Sequence, residues 1–193
     1  MHLVPHGRPK PLLEARDVSV RRCGHSLLQR VSITADCGEL LALLGDAGSG
    51  TDTLLDILGG QVQPDAGQVL RNGRVPLELV SDPTGVRELA AVHGAAAARH
   101  RLVDGAPHGV PMLFHEPTKG LDDASARDVL AECRRAADDG HAVVVTLDRA
   151  DLAATYATTV ALVVAGRLLS WGSPAVALVP AFQLLSAGAR RSG

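Results

Sequence analysis

The stretch Gly45-Asp46-Ala47-Gly48-Ser49-Gly50-Thr51-Asp52-Thr53 holds the residue types best suited to chemistry in this chain. Its glycines let the backbone curl until successive N–H groups face one anion. A helix starting just beyond them adds partial positive charge at the same place. That is the chemistry of phosphate binding, whose full pattern is G-x-x-x-x-G-K-[ST]. Gly45 and Gly50 fit it, whereas Thr51 stands at the lysine position and Asp52 at the hydroxyl position. The lysine of the full pattern neutralises terminal phosphates and its hydroxyl helps hold magnesium; Thr51 and Asp52 supply neither. A carboxylate set where phosphates would sit repels a unit charge about 4 Å away by ~1–4 kcal/mol at surface-like dielectric. Asp52 is equally a good residue for a helix start, where it accepts backbone N–H bonds in place of a phosphate. Two readings stay open: a strand–loop–helix kept as architecture, and a nucleotide site.

The second group of chemically able residues is His115-Glu116-Pro117-Thr118-Lys119-Gly120-Leu121-Asp122, behind the apolar run Pro111–Phe114. A carboxylate at Glu116 can activate water if a phosphate is held opposite it. If His115 and Glu116 continue the strand, they point to opposite faces and do not share a metal. His2 and His6 are separated by Pro5, which argues against a common helix face. No metal site is expected. No G-x-S-x-G nucleophile elbow occurs, and Ser49 in Gly48-Ser49-Gly50 has the wrong spacing for one.

These residues must be positioned by a scaffold. The chain has 193 residues, 46% hydrophobic and 21% charged, with a net charge of −2. This suits one domain with a real core and excludes a disordered chain. Nothing in the charge balance favours a nucleic-acid partner. The sequence has no uninterrupted apolar run long enough for a direct membrane span, and prolines interrupt the N-terminus where a secretory leader needs apolar residues. Cys23, Cys37 and Cys133 form no CxxC pair and read as reduced, buried thiols of a cytosolic protein. Lysine occurs only as Lys10 and Lys119, so arginine supplies almost all positive charge.

Alternation of Val31, Ile33 and Ala35 with polar residues predicts a half-buried strand, and an earlier strand is expected over Leu12–Val20. Leu40–Leu44 is continuously apolar, as in a strand covered on both faces. Leu54, Leu55, Ile57 and Leu58 predict a helix ended by Gly59-Gly60. Asn72-Gly73 signals a tight hairpin. A helix is expected over Val86–His100. Pro111–Phe114 and Ala142–Val145 read as buried strands, with a helix between them over the 126–137 periodicity. Another helix is expected near Asp151–Tyr156, then a hairpin turning at Ala165-Gly166. Strands alternating with helices imply an α/β fold with a mostly parallel sheet. The ends, residues 1–11 and 189–193, read as flexible, with one domain over 12–188.

Taken in order, these segments resemble the ATP-binding subunit of an ABC transporter, a P-loop ATPase. Leu12–Val20 and Val31–Gly38 resemble its N-terminal antiparallel strands, and Gly38–Gly45 the approach to its Walker A loop. Gly67–Gly73 resembles the hairpin that follows. Met112–Asp122 resembles Walker B running into the D-loop, and Val143–Asp148 and Val160–Pro174 the later strands. Glu116-Pro117-Thr118 with Gly120-Leu121-Asp122 behind an apolar strand is the most specific of these matches.

The resemblance implies ATP and magnesium as cofactors, Glu116 as the catalytic carboxylate and Asp122 as the D-loop residue at a dimer interface. The sequence departs from it at several positions. His115 stands at the Walker B aspartate, and imidazole is a poor ligand for a hard cation. Leu147 stands at the switch histidine. The adenine-stacking aromatic near Arg21–Cys23 is missing, with Arg22 a weaker substitute. No LSGGQ signature occurs, and the short interval between Gly45 and His115 leaves the helical subdomain largely missing. The resemblance then implies a degenerate, shortened subunit with weak or absent nucleotide binding and hydrolysis. Its expected partners are another ABC ATPase subunit and a membrane permease, and its expected location is cytoplasmic, peripheral at the inner face of the cell membrane. Two alternatives accompany it: an active magnesium-dependent ATPase, and a P-loop scaffold for protein binding outside transport.

Overall fold

In the computed structural model, residues 11–71, 78–80 and 111–179 are described below. Two sheets share one interior. The smaller is antiparallel, with β1 (Leu13–Arg22) between β2 (His25–Ala35) and β4 (Ala66–Arg71). The larger has six strands in the order β5-β6-β7-β3-β8-β9: β5 (Glu78–Val80), β6 (Pro111–Phe114), β7 (Ala142–Leu147), β3 (Leu40–Leu44), β8 (Thr159–Val164) and β9 (Arg167–Gly172). All its neighbours run parallel except the closing β8–β9 pair. The helices are α1 (Thr51–Gly59), α2 (Asp123–Asp138), α3 (Ala150–Tyr156) and α4 (Pro174–Ala177).

The continuous apolar runs follow from burial on both faces. Side chains alternate across a strand. Leu40, Ala42 and Leu44 of β3 and Val143 and Val145 of β7 therefore pack with α2 and α3 on one face. Leu41, Leu43 and Val144 pack on the other against α1 and the small sheet, through Leu54, Ile57, Val18 and Ile33. On α2 the apolar positions Ala126, Val129, Leu130, Cys133 and Ala137 are all buried, as their helical spacing requires. Gly60 ends α1 at φ 79°, its N–H bonded to Ile57 O.

The expected α/β architecture with its antiparallel part is present. One expectation changes. Cys23 and Cys37 are exposed, and only Cys133 is buried. Cys23 sits in the turn between β1 and β2 at φ 49°, a place that holds no core. The strand entering the Asn72-Gly73 turn, β4, pairs with β1, while β5 joins the other sheet. The turn itself lies outside the described residues, as do the expected helix over 86–100 and both chain ends.

Candidate functional site

The loop after β3 sits at the carboxyl end of the parallel strands, where open α/β sheets gather ligands. It is held from the side by the β8–β9 turn. The Gly166 N–H donates to Ser49 O at 2.8 Å, and Gly166 O accepts from the Gln29 N–H at 2.8 Å. Arg167 fastens the same junction by donating Nε and Nη2 to Gln29 Oε1 at 3.0 and 2.8 Å. Inside the loop, the Ser49 N–H donates to Asp46 O at 2.9 Å, and the Gly45 N–H reaches Leu147 O at 3.4 Å. Gly50 has φ 104°, and a Cβ there would lie 2.6 Å from Leu27 O, so only glycine fits.

α1 begins at Thr51 with Gly50 as its cap and no side-chain cap bond. Its first-turn N–H groups therefore keep the exposed partial charge of an uncapped helix start. The expected capping by Asp52 does not occur. Its carboxylate leaves the helix end and meets His115, with Nε2 to Oδ1 at 3.0 Å and both side chains about half exposed. Thr51 and Ser49 are buried, with their hydroxyls 3.3 Å apart. Thr53 is partly buried, whereas Asp46, Ala47 and Gly48 are exposed at the loop crest.

β6 ends at Phe114, so His115 and Glu116 lie just past the strand. Glu116 has φ 42°, and its N–H donates to Thr146 Oγ1 of β7 at 2.7 Å. A non-glycine residue held in this region costs of order 1–3 kcal/mol. Its carboxylate is engaged by the Lys119 ammonium, which forms an ion pair with Oε2. That contact raises the Lys119 pKa, with smaller contributions from the nearby charges of Asp148 and Asp52. Burial raises Asp56, opposed by His115 and reinforced by Asp52. Asp52, Asp56, His115, Glu116, Lys119 and Asp148 thus form one electrostatic group at the mouth of the loop.

Asp122 accepts from the Ser125 N–H at 2.9 Å and caps α2, and this bonding holds its carboxyl below the usual range. Leu147 is 4% exposed and belongs to the core beneath the loop. Arg22, the substitute for a base-stacking aromatic, donates to Asp65 at 3.4 Å and to Arg21 O at 2.9 Å. Arg149 ties the first turns of α2 and α3 together, bonding Asp123 at 2.6 Å and Asp151 at 2.6 Å.

The glycine-lined backbone suits an anion, but the charges do not suit a metal–nucleotide complex. The two positions from which a phosphate loop holds magnesium carry Asp52 and His115, bonded to each other. Among the described residues, no group of three or more His, Cys, Asp or Glu is arranged to hold a metal. Sequence reasoning did not anticipate Lys119 and Asp148 in this group. The scarcity of lysine was the available signal, since one of only two lysines lies in the segment after β6. A cavity of about 330 Å³ adjoins the outer wall of the loop, between Gly45–Ser49, Asp148 and the end of β8.

The family model described as ABC transporter matches residues 28–154. The chain is 30% identical to a hemin import ATP-binding protein of Gloeobacter violaceus, covering 88% of this chain and 84% of that protein. That alignment spans 232 positions against the 193 residues here, so the relative carries residues this chain lacks. A zinc import ATP-binding protein of Alkalilimnicola ehrlichii is 32% identical over 67% of this chain and 55% of its own length. Among solved structures, the ADP conformation of an ATP-binding cassette of an ABC transporter, MJ1267, superposes with a TM-score of 0.69 at 13% identity, covering 86% of this chain and 92% of that one.

Proposed function

The chain belongs to the ABC transporter family, and on that premise we propose that it is a non-catalytic ATP-binding-subunit homologue of a membrane transport system. Its relatives' roles in hemin and zinc import support a place in transport. The single observation that carries the non-catalytic reading is the contact of Asp52 with His115 at 3.0 Å. A carboxylate and an imidazole bonded together occupy the positions from which the family's loop and Walker B strand address magnesium. The contact engages the His115 Nε2 and one oxygen of the Asp52 carboxylate.

The other positions support the same reading. Thr51 brings no charge to the phosphates, and Leu147 is packed into the core. Glu116, the proposed counterpart of the catalytic carboxylate, already faces Lys119. Phosphoryl transfer rests on positioning and charge neutralisation, so losing several such groups together removes orders of magnitude in rate. The chain then acts by pairing with a competent ATPase subunit or occupying its docking place on a permease. A single domain over 12–188, cytoplasmic and peripheral at the membrane, fits this role. Asp122 contributes by starting α2 and presenting the segment before it.

The test has two arms. Purified protein with magnesium and ATP is expected to show no steady turnover, and a pull-down from its native cytosol and membranes is expected to recover an ABC ATPase or permease subunit. Turnover abolished by Glu116→Gln, or failure to recover any such subunit, overturns the proposal.

A further inference from the structure

The non-catalytic role leaves the cavity beside the loop without a use. Its volume of about 330 Å³ lies at the small end of the ~300–1,000 Å³ of small-molecule sites. Leu44 and Leu162, partners in the parallel β3–β8 register and 4% and 5% exposed, line it together with Ala150 of α3 and Val164 of β8. The cavity is formed in advance, because its walls are tied to each other. The Gly166 N–H holds Ser49 O at 2.8 Å, and the loop lies so close to β8 that a Cβ at Gly45 would fall 2.6 Å from Val163 O. Thr51, Asp52 and His115 are not among the lining residues, so this is not the face on which a phosphate loop meets its ligand.

The charged side chains that line this cavity are both acidic. Asp46 comes from the loop crest and Asp148 from the segment after β7, and both are exposed. Among the described residues, neither carboxylate accepts a hydrogen bond or forms an ion pair. Asp148 acts on Lys119 only through its charge, while the Lys119 ammonium bonds Glu116. The neighbouring arginines bond elsewhere, Arg149 to Asp123 and Asp151, and Arg167 to Gln29. An apolar lining favours hydrocarbon, and two carboxylates at its rim repel anions and attract cations. We infer that the cavity takes a small organic cation, an ammonium on a short apolar body. The body lies against Leu44 and Leu162, and the ammonium, with three donors, meets Asp46 and Asp148. The inference holds whether or not the chain turns over ATP.

The test is an NMR titration of the full chain with three probes of similar body and different charge: 2-phenylethylammonium, 2-phenylethanol and 3-phenylpropionate. The ammonium is expected to bind saturably with a Kd of about 1 mM or tighter, as suits a ligand of this size. Its amide shifts are expected at residues 162–165 and at Asp148. The alcohol is expected to bind about fivefold more weakly or worse, in line with losing one charge contact in a wet site, and the carboxylate not at all. Asp46→Asn and Asp148→Asn are each expected to weaken the ammonium about fivefold while leaving the alcohol unchanged. Val164→Lys sets an ammonium of the chain's own at the rim and is expected to abolish binding of the probe. All three positions are exposed, and matched melting curves establish that the variants remain folded. Absence of saturable binding, equal affinity for the alcohol, binding of the carboxylate, shifts confined to another part of the molecule, or indifference to both Asp→Asn changes overturns the inference. These results are independent of turnover and of the pull-down, so failure here is distinct from failure of the non-catalytic reading.

Discussion

Replacing Thr51 by Lys and Asp52 by Thr restores the full loop pattern, and the structure sets what this must gain. Removing the Asp52 carboxylate relieves a repulsion of ~1–4 kcal/mol against a phosphate about 4 Å away, and the new ammonium adds an attraction of the same order. Two costs oppose this. The Asp52–His115 contact is lost, but both side chains are about half exposed, so it contributes only ~0–1 kcal/mol. Thr51 is 6% exposed against Ser49, so a lysine whose stem stays in that space overpacks it by ~1–3 kcal/mol; a stem that arches over the loop avoids most of that. With the stem arched over the loop the two gains, about 2–8 kcal/mol together, outweigh the lost contact, and a fall in Kd of about tenfold, about 1.4 kcal/mol, is expected. Adding His115→Asp supplies an oxygen ligand, and affinity then becomes magnesium-dependent. The assay is ATP calorimetry on wild type, the double variant and the triple variant, with and without magnesium, alongside thermal melts. Unchanged affinity in variants that remain folded refutes the charge argument, because the loop backbone itself would then be the obstacle.

Two further outcomes follow from the fold. Gly50→Ala forces a Cβ to 2.6 Å from Leu27 O at φ 104° and is expected to destabilise by more than about 1 kcal/mol, lowering Tm by ~2–4 °C per kcal/mol in a chain of this size; an unchanged melt would contradict the tight loop–β2 junction. Burial pushes the Cys133 thiol up to about 12, so Cys23 and Cys37 are expected to react with a thiol reagent in the native state and Cys133 only on unfolding. Cys133 also gives a pH dependence. The folded thiol keeps its proton while the unfolded one loses it, so stability is fully present below the ordinary thiol value and falls above it by about 1.4 kcal/mol per pH unit until near 12. Urea unfolding across alkaline pH measures this slope, and Cys133→Ala is expected to remove it.

The layout of the scaffold was legible because its signals are local. Leu40–Leu44 is apolar throughout, and such a run needs cover on both faces; α1 and the small sheet on one side and α2 with α3 on the other provide it. Gly60 and the Ala165-Gly166 turn stop their elements where the sequence says they must. The thiols were misjudged because cysteine is usually buried, while Cys23 and Cys37 fall in turns. Asp52 was misjudged for a different reason. Helix-start statistics weigh a carboxylate against the N–H groups of its own turn, and they contain no term for an imidazole arriving from the end of another strand.

That omission explains why the site reads as damage in the sequence and as a closed arrangement in the fold. Taken singly, Asp52 and His115 are two losses from a phosphate site. Facing each other at 3.0 Å, they are complementary, with the carboxylate on the helix side and the imidazole on the strand side. Restoring a carboxylate at His115 alone would set two acids at hydrogen-bonding distance, and removing Asp52 alone would leave the imidazole facing phosphate without a metal ligand. Neither single reversion rebuilds a magnesium site, so the two positions are coupled and their effects on ATP affinity must be non-additive.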